Sequence, residues 1–294
     1  MSERAHVFGS HNGLVGIITE PPPGVAHVDA PAVVFANVGL NHRVGPNRIF
    51  VDLARQLAAA GYVSLRFDLS GRGDSEPRRT TDSDLARATL DMREAMDFLT
   101  KKKGCRRFVL LGFCSGVDSA HATSLTDDRV VGAIFIDGYA YPNLGFWLRY
   151  LSVRNLQPAR WRRYFRRRLE RRVPSNGRRE TGEVAEVFKR EYPSEDRFGA
   201  DLDTLAARGV RMLFVFTGVA DNHYNYRNQL HDRFGHRDLV EAEYYVKADH
   251  VFSWEADRTM VLDRLVRWMN DGYAAESPAA APADEIRPPS RVSA

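Results

Sequence analysis

Leu110-Leu111-Gly112-Phe113-Cys114-Ser115-Gly116 joins the most strongly apolar run of the chain, Phe108-Val109-Leu110-Leu111, directly to a segment with helical patterning. A strand that reverses into a helix within about one residue forces the residue at the bend into strained backbone. Glycines two before and two after that residue, Gly112 and Gly116, remove the side chains that would collide across the bend. The central residue then projects from the top of the sheet above a helix N-terminus. Here it is Cys114, and the positive end of the helix favours its thiolate. The spacing points to Cys114 as a nucleophile. Two other readings stay open: Ser115 as the nucleophile, which breaks the glycine spacing, and an inert buried cysteine in a tight turn.

Outward from this bend the chain alternates short apolar runs with helical periodicity. Residues 32–36, 62–67, 108–111, 130–136, 211–216 and 241–246 read as strands. Residues 47–60, 83–99, 115–125 and 254–269 read as helices, the first ended by Gly61. Strands alternating with helices imply a mostly parallel sheet covered on both faces. The alternation breaks over residues 139–200, which are rich in Arg, Trp and Tyr and read as a helical insertion. The expected division is a core of residues 1–138 and 201–276, a helical lid at 139–200, and a disordered tail at 277–294, where Pro and Ala dominate.

A nucleophile of this kind needs a base, and the base needs an orienting acid. Each is expected after a late strand, in the order nucleophile, acid, histidine. Asp221 follows the strand at 211–216 and is the first candidate for the acid; Asp137, directly after the strand at 130–136, is the second. His250, after the strand ending at Val246, is the candidate base, with His223 and His231 weaker ones. Asp221 also reads as a helix N-cap, and His250 as a surface loop residue. An oxyanion hole needs two backbone N–H groups: Ser115, after the nucleophile, and Leu40, in the loop Asn37-Val38-Gly39-Leu40-Asn41-His42-Arg43 after the first apolar run. His42 and Arg43 either line the site or pair with nearby structure.

By these residues the chain resembles an α/β-hydrolase from about residue 14 to 273. The stretches Gly39-Leu40-Asn41-His42-Arg43-Val44-Gly45-Pro46-Asn47-Arg48 and Leu65-Arg66-Phe67-Asp68-Leu69-Ser70-Gly71-Arg72-Gly73-Asp74-Ser75 resemble serine-aminopeptidase-like and exosortase-associated hydrolases. Those use serine at the bend. A cysteine there resembles dienelactone hydrolases and the carrier-protein aminoacyl shuttles of nonribosomal peptide pathways. The resemblance implies the α/β-hydrolase fold and a Cys114–His250–Asp221 set. An acyl group on Cys114 would be a thioester, so exchange with a phosphopantetheine thiol is close to isoenergetic, and thiolates displace thiolates readily.

The 294 residues carry a net charge of +4, but residues 160–179 hold ten arginines and one acid, Glu170. That stretch is +9 and leaves the remainder at −5, so the basic character belongs to one surface. Trp161, Phe165 and Leu169 fall four apart within it, one apolar helix face among arginines. Arg162, Arg166 and Arg167 on a lid would attract an acidic carrier protein and its phosphate-bearing arm. A solvated helix face and an anionic membrane surface are the alternatives. No nucleic-acid motif accompanies the arginines, so nucleic acid is not an expected partner.

No apolar run approaches the roughly 18 residues of a membrane span. Two cysteines, Cys105 and Cys114, build no disulfide framework, and no secretory leader is evident at the N-terminus. The expectation is a cytoplasmic protein without metal or cofactor. The functional expectation is an acyl or aminoacyl transferase, or a thioesterase, working through a Cys114 thioester. A small-ester or lactone hydrolase and a non-catalytic scaffold that binds a partner through the basic lid are the alternatives.

Overall fold

The computed structural model describes residues 1–27, 29–39, 41–150, 192–218 and 223–274. Eight strands form one sheet: β1 (Ser2–Phe8), β2 (Leu14–Glu20), β3 (Ala32–Phe35), β4 (Ser64–Phe67), β5 (Phe108–Phe113), β6 (Val130–Ile136), β7 (Arg211–Thr217) and β8 (Val240–Tyr245). Their order is β1-β2-β4-β3-β5-β6-β7-β8. The β1–β2 and β2–β4 pairs are antiparallel and every other pair is parallel. The sheet is that of an α/β-hydrolase fold. The β1–β2 hairpin is an addition to the sequence reading. β1 mixes exposed and buried positions, and in β2 Gly16, Thr19 and Glu20 interrupt the apolar residues.

The apolar runs of the central strands are explained by helices on both faces. Val33, Phe35, Val109, Leu111, Ile134 and Val215 point to one face, where α1 (Ile49–Ala59) and the closing helix, residues Glu255–Tyr273, cover them with Phe50, Leu57, Leu265 and Trp268. Val34, Leu110, Phe135 and Phe214 point to the other face. There α2 (Asp84–Lys103), α3 (Gly116–Thr126) and α5 (Glu195–Ala207) supply Met92, Met96, Val117 and Phe198. Each such buried large side chain contributes about 1.5–3 kcal/mol relative to exposure, so the two-sided core dominates the fold's stability. Of the remaining helices, α4 is Leu144–Tyr150, α6 is Gln229–Phe234 and α7 is the closing helix.

Local chemistry sets the helix ends. Ser83 Oγ accepts from the Ala86 N–H to start α2, and Gly104 at φ +73° stops it behind Lys101, Lys102 and Lys103. The chain runs from β3 outward to β4 and then returns to lay β5 on the other side of β3. The loops after β3 and β5 therefore diverge at one point of the sheet's C-terminal edge, where such folds leave a crevice.

Candidate active site

Cys114 directly follows β5 at φ +53°, a backbone region that a residue with a Cβ rarely adopts. Its N–H donates to the Ile136 carbonyl at 2.8 Å, so the bend is still tied to the neighbouring strand. A Cβ on Gly112 would lie 2.6 Å from the Gly116 carbonyl oxygen and from Val117 Cα; one on Gly116 would lie 2.6 Å from the Asn37 carbonyl oxygen. The two glycines permit the crossing of strand, helix and β3 loop that holds Cys114 in place. Neither Cys114 nor Cys105 is in a disulfide; burial pushes the Cys105 thiol up.

The carboxylate that meets His250 is Asp137. Phe113 pairs with Ile136 in register, so Cys114 and Asp137 are the next residues of adjacent strands at the sheet's edge. Asp137 also has positive φ, +46°, which turns it out of the strand's alternation. Its Oδ1 accepts from the Thr217 N–H at 2.7 Å and its Oδ2 from Thr217 Oγ1 at 2.8 Å. The same Oδ2 lies 2.8 Å from His250 Nδ1. Asp221, the first candidate for the acid, lies outside the described residues; the second candidate, Asp137, stands beside the imidazole.

His250 sits on a loop that Asp249 folds by accepting from the N–H groups of Val251 at 2.9 Å and Ser253 at 3.2 Å. Its ring packs edge-on against Phe113, centroids 5.3 Å apart. Hydrogen bonding to Asp137 first, and to Cys114 second, pushes the imidazole up to about 10, against a desolvation that acts to lower it. Cys114, His250 and Asp137 thus form a continuous chain of contacts. His223 is exposed, and neither it nor His231 enters this chain.

The loop after β3 is held from three sides. Gly39 donates its N–H to Ser115 Oγ at 2.7 Å, so the hydroxyl is occupied by the loop and does not cap α3. The Gly39 carbonyl accepts from Arg72 Nη1. Asn37 Oδ1 accepts from the Leu69 N–H at 2.6 Å, and Asn37 Nδ2 donates to the Asn41 carbonyl at 2.9 Å. Fully buried Asp68 accepts from the Arg43 N–H at 2.6 Å and also pairs with the Arg43 guanidinium. Arg43 bridges on to Asp74 at 2.7 Å. Of the two open readings for Arg43, the structure therefore shows pairing with nearby structure. His42 is exposed on the same loop.

Leu40, Arg162, Arg166, Arg167, most of the insertion and the tail beyond residue 274 lie outside the described residues. The sequence reading missed the Thr217 clamp on Asp137 and the Asp68–Arg43 and Arg72–Gly39 contacts. The Gly-rich stretch Gly71-Arg72-Gly73-Asp74-Ser75 was legible as a loop, but nothing in it announced its contact with the loop after β3. Among the described residues no group of three His, Cys, Asp or Glu side chains could hold a metal ion. Among them, too, no helix is long and apolar enough to cross a membrane.

A family model described as the alpha/beta hydrolase family matches residues 33–288. No curated protein sequence matches the chain. Solved structures share the architecture at low identity. An esterase of Pyrococcus furiosus superposes with a TM-score of 0.62 at 14% identity, covering 93% of this chain and 92% of that one. The hypothetical protein PA2218 of Pseudomonas aeruginosa gives 0.59 at 16%, covering 92% and 93%. The alpha/beta hydrolase GrgF of a Penicillium species gives 0.58 at 17%, covering 94% and 100%.

Proposed function

The chain belongs to the alpha/beta hydrolase family, and from that premise we propose that it transfers or hydrolyses acyl groups through a covalent thioester on Cys114, with His250 as base and Asp137 as the orienting acid. One observation carries the reading: Cys114 stands at the strained bend with His250 against it, and Asp137 lies 2.8 Å behind the imidazole. With Nδ1 engaged by Asp137, Nε2 is the nitrogen left to face the thiol. An imidazole raised to about 10 carries its proton near neutral pH, which suits a thiolate–imidazolium pair at rest.

In acylation, Cys114 Sγ bonds to the carbonyl carbon of the donor. The carbonyl electrons move onto oxygen, where the Ser115 N–H and the expected Leu40 N–H would hold them. The electrons return, the bond to the leaving thiol breaks, and His250 hands that thiolate its proton. In deacylation an acceptor thiol, amine or water gives its proton to His250 as it attacks, and Cys114 leaves as thiolate. Both half-reactions interconvert thioesters when donor and acceptor are thiols, and this reversibility favours transfer. Thioester donors on an acidic carrier protein are the proposed substrates; the support is the run of arginines at 160–179.

A second reading, hydrolysis of small esters or lactones, draws on the fold shared with the Pyrococcus furiosus esterase. Intact-protein mass spectrometry with a panel of acyl thioesters and esters separates the two. An adduct on the parent protein that Cys114→Ala abolishes, and that passes to added thiol faster than to water, supports transfer. Loading that persists at Ser115 in Cys114→Ala refutes the assignment of the nucleophile. Release only to water, with ester donors preferred, supports the second reading.

A further inference from the structure

We infer that Asn47 is a positioning residue for the base: its side chain holds the loop that carries His250 by donating to the carbonyl of the next residue, Val251. The inference rests on the pairing of Cys114 with His250 proposed above. Asn47 Nδ2 lies 2.9 Å from the Val251 carbonyl oxygen, and 204 positions separate the two residues. The His250 loop is folded from within by Asp249 and pinned by the Phe252 ring, which is fully buried beside Phe113. Among the described residues, however, the backbone of residues 249–251 receives one hydrogen bond from outside its own loop, the one from Asn47. It comes from the loop between β3 and α1, and β3 and β8 lie on opposite sides of β5 in the sheet. The contact therefore spans the edge at which Cys114 stands.

The backbone at Asn47 is unusual. Asn47 at φ +48° and Arg48 at φ +64° are consecutive residues with side chains in the left-handed region, which such residues rarely enter and which Asn tolerates better than most. The turn closes without help from the Asn47 side chain. The Gly45 N–H donates to the His42 carbonyl at 3.0 Å, the Arg48 N–H to the Gly45 carbonyl at 3.3 Å and the Phe50 N–H to the Val44 carbonyl at 3.2 Å. The Asn47 residue is exposed, and its amide spends its hydrogen bond on the neighbour of the base. Strained backbone of this kind collects at functional sites. The same loop meets the nucleophile at its other end, where the Gly39 N–H donates to Ser115 Oγ at 2.7 Å. One loop thus touches both the residue after Cys114 and the residue after His250.

The test separates the amide from the strain. Asn47→Gly keeps the left-handed backbone and removes the amide; Asn47→Leu keeps the amide's shape without a donor and adds strain. The readout is alkylation of Cys114 by iodoacetamide in the full chain across pH, followed on the Cys114 peptide by mass spectrometry. Sulfur bonds to the methylene carbon and iodide leaves, so the rate follows the thiolate, which the His250 proton stabilises. Losing one neutral hydrogen bond should lower the rate near neutral pH about 2- to 10-fold and move the rise of the profile to higher pH, equally in both variants. Only Asn47→Leu should melt below the parent. A profile that moves in Asn47→Leu alone, or in neither variant while His250→Ala moves it, overturns the inference and leaves the Cys114–His250 pair standing. A parent profile that His250→Ala does not alter refutes the pair itself, and the role of Asn47 with it.

Discussion

Asp137 Oδ2 and His250 Nδ1 lie 2.8 Å apart although 113 positions separate them in the chain. The sheet makes the meeting possible: β6 ends one residue before Asp137, β8 ends five residues before His250, and β7 between them contributes Thr217. Thr217 uses both its N–H and its hydroxyl on the carboxylate, so the carboxylate is oriented before the imidazole arrives. The tautomer and the ring direction of His250 follow from that orientation.

Asp137→Asn should therefore lower the rate of Cys114 acylation by about 10²–10⁴-fold. The loss should fall towards the small end, because a thiol is acidic enough to react with less help from its base than a hydroxyl. Asp221→Asn should have little effect. Stopped-flow acylation of both variants checks this. A crippled Asp221→Asn beside a near-normal Asp137→Asn would return the acid to the loop after β7.

The bend at Cys114 and the position of His250 were legible in the sequence because both are local signals: a glycine spacing, and a histidine just past the last strand. The acid was not local in the same way. Asp221 and Asp137 both follow strands, and alternation alone cannot say which carboxylate faces the imidazole. The decision lies in the register of β5 on β6 and in the left-handed turn of Asp137, neither of which a side-chain pattern encodes. The β1–β2 hairpin was hidden for a related reason. Its outer strand, β1, lies at the sheet's edge with exposed positions, and its apolar residues are diluted by Ser, Glu, Arg and His. The grip on Gly39 was invisible because it joins the backbone to side chains from two other loops.

The raised imidazole gives a pH dependence with a definite sign. Folding lifts His250 from about 6.5 to about 10, so the folded state binds a proton that the unfolded chain has released. The resulting stability is complete below about pH 6.5 and is lost as pH rises towards about 10. Asp137→Asn removes the largest cause of the lift, so its melting temperature should decline less between pH 6.5 and 10 than that of the parent. Calorimetry across that range checks it, and parallel slopes would refute the assigned cause.

Gly112→Ala and Gly116→Ala should both be destabilising by about 2–4 kcal/mol, since each new Cβ meets backbone atoms that cannot swing aside. Gly104→Ala is the control. Unlike Gly112 and Gly116, Gly104 has positive φ, but nothing lies within 4 Å of its Cβ position, so only about 1–2 kcal/mol of backbone strain is expected. Urea denaturation of the three variants measures the order. A loss at Gly104 as large as at Gly112 would mean that the crossing of strand and helix adds nothing to the cost of a side chain at the bend.

The basic stretch gives the last test. If Arg162, Arg166 and Arg167 recruit an acidic carrier, their attraction acts over distances that salt screens within about 8–10 Å at physiological strength. The acylation rate with a carrier-bound donor should then fall steeply as salt rises, while the rate with a small neutral thioester barely changes. The combined Arg162→Glu, Arg166→Glu and Arg167→Glu variant should show the high-salt behaviour already at low salt. It should not affect the neutral donor, which offers the arginines no charge to attract. Equal losses with both donors would assign the arginines a structural role. No loss with either would leave them a solvated surface and would remove the carrier protein from the proposed function.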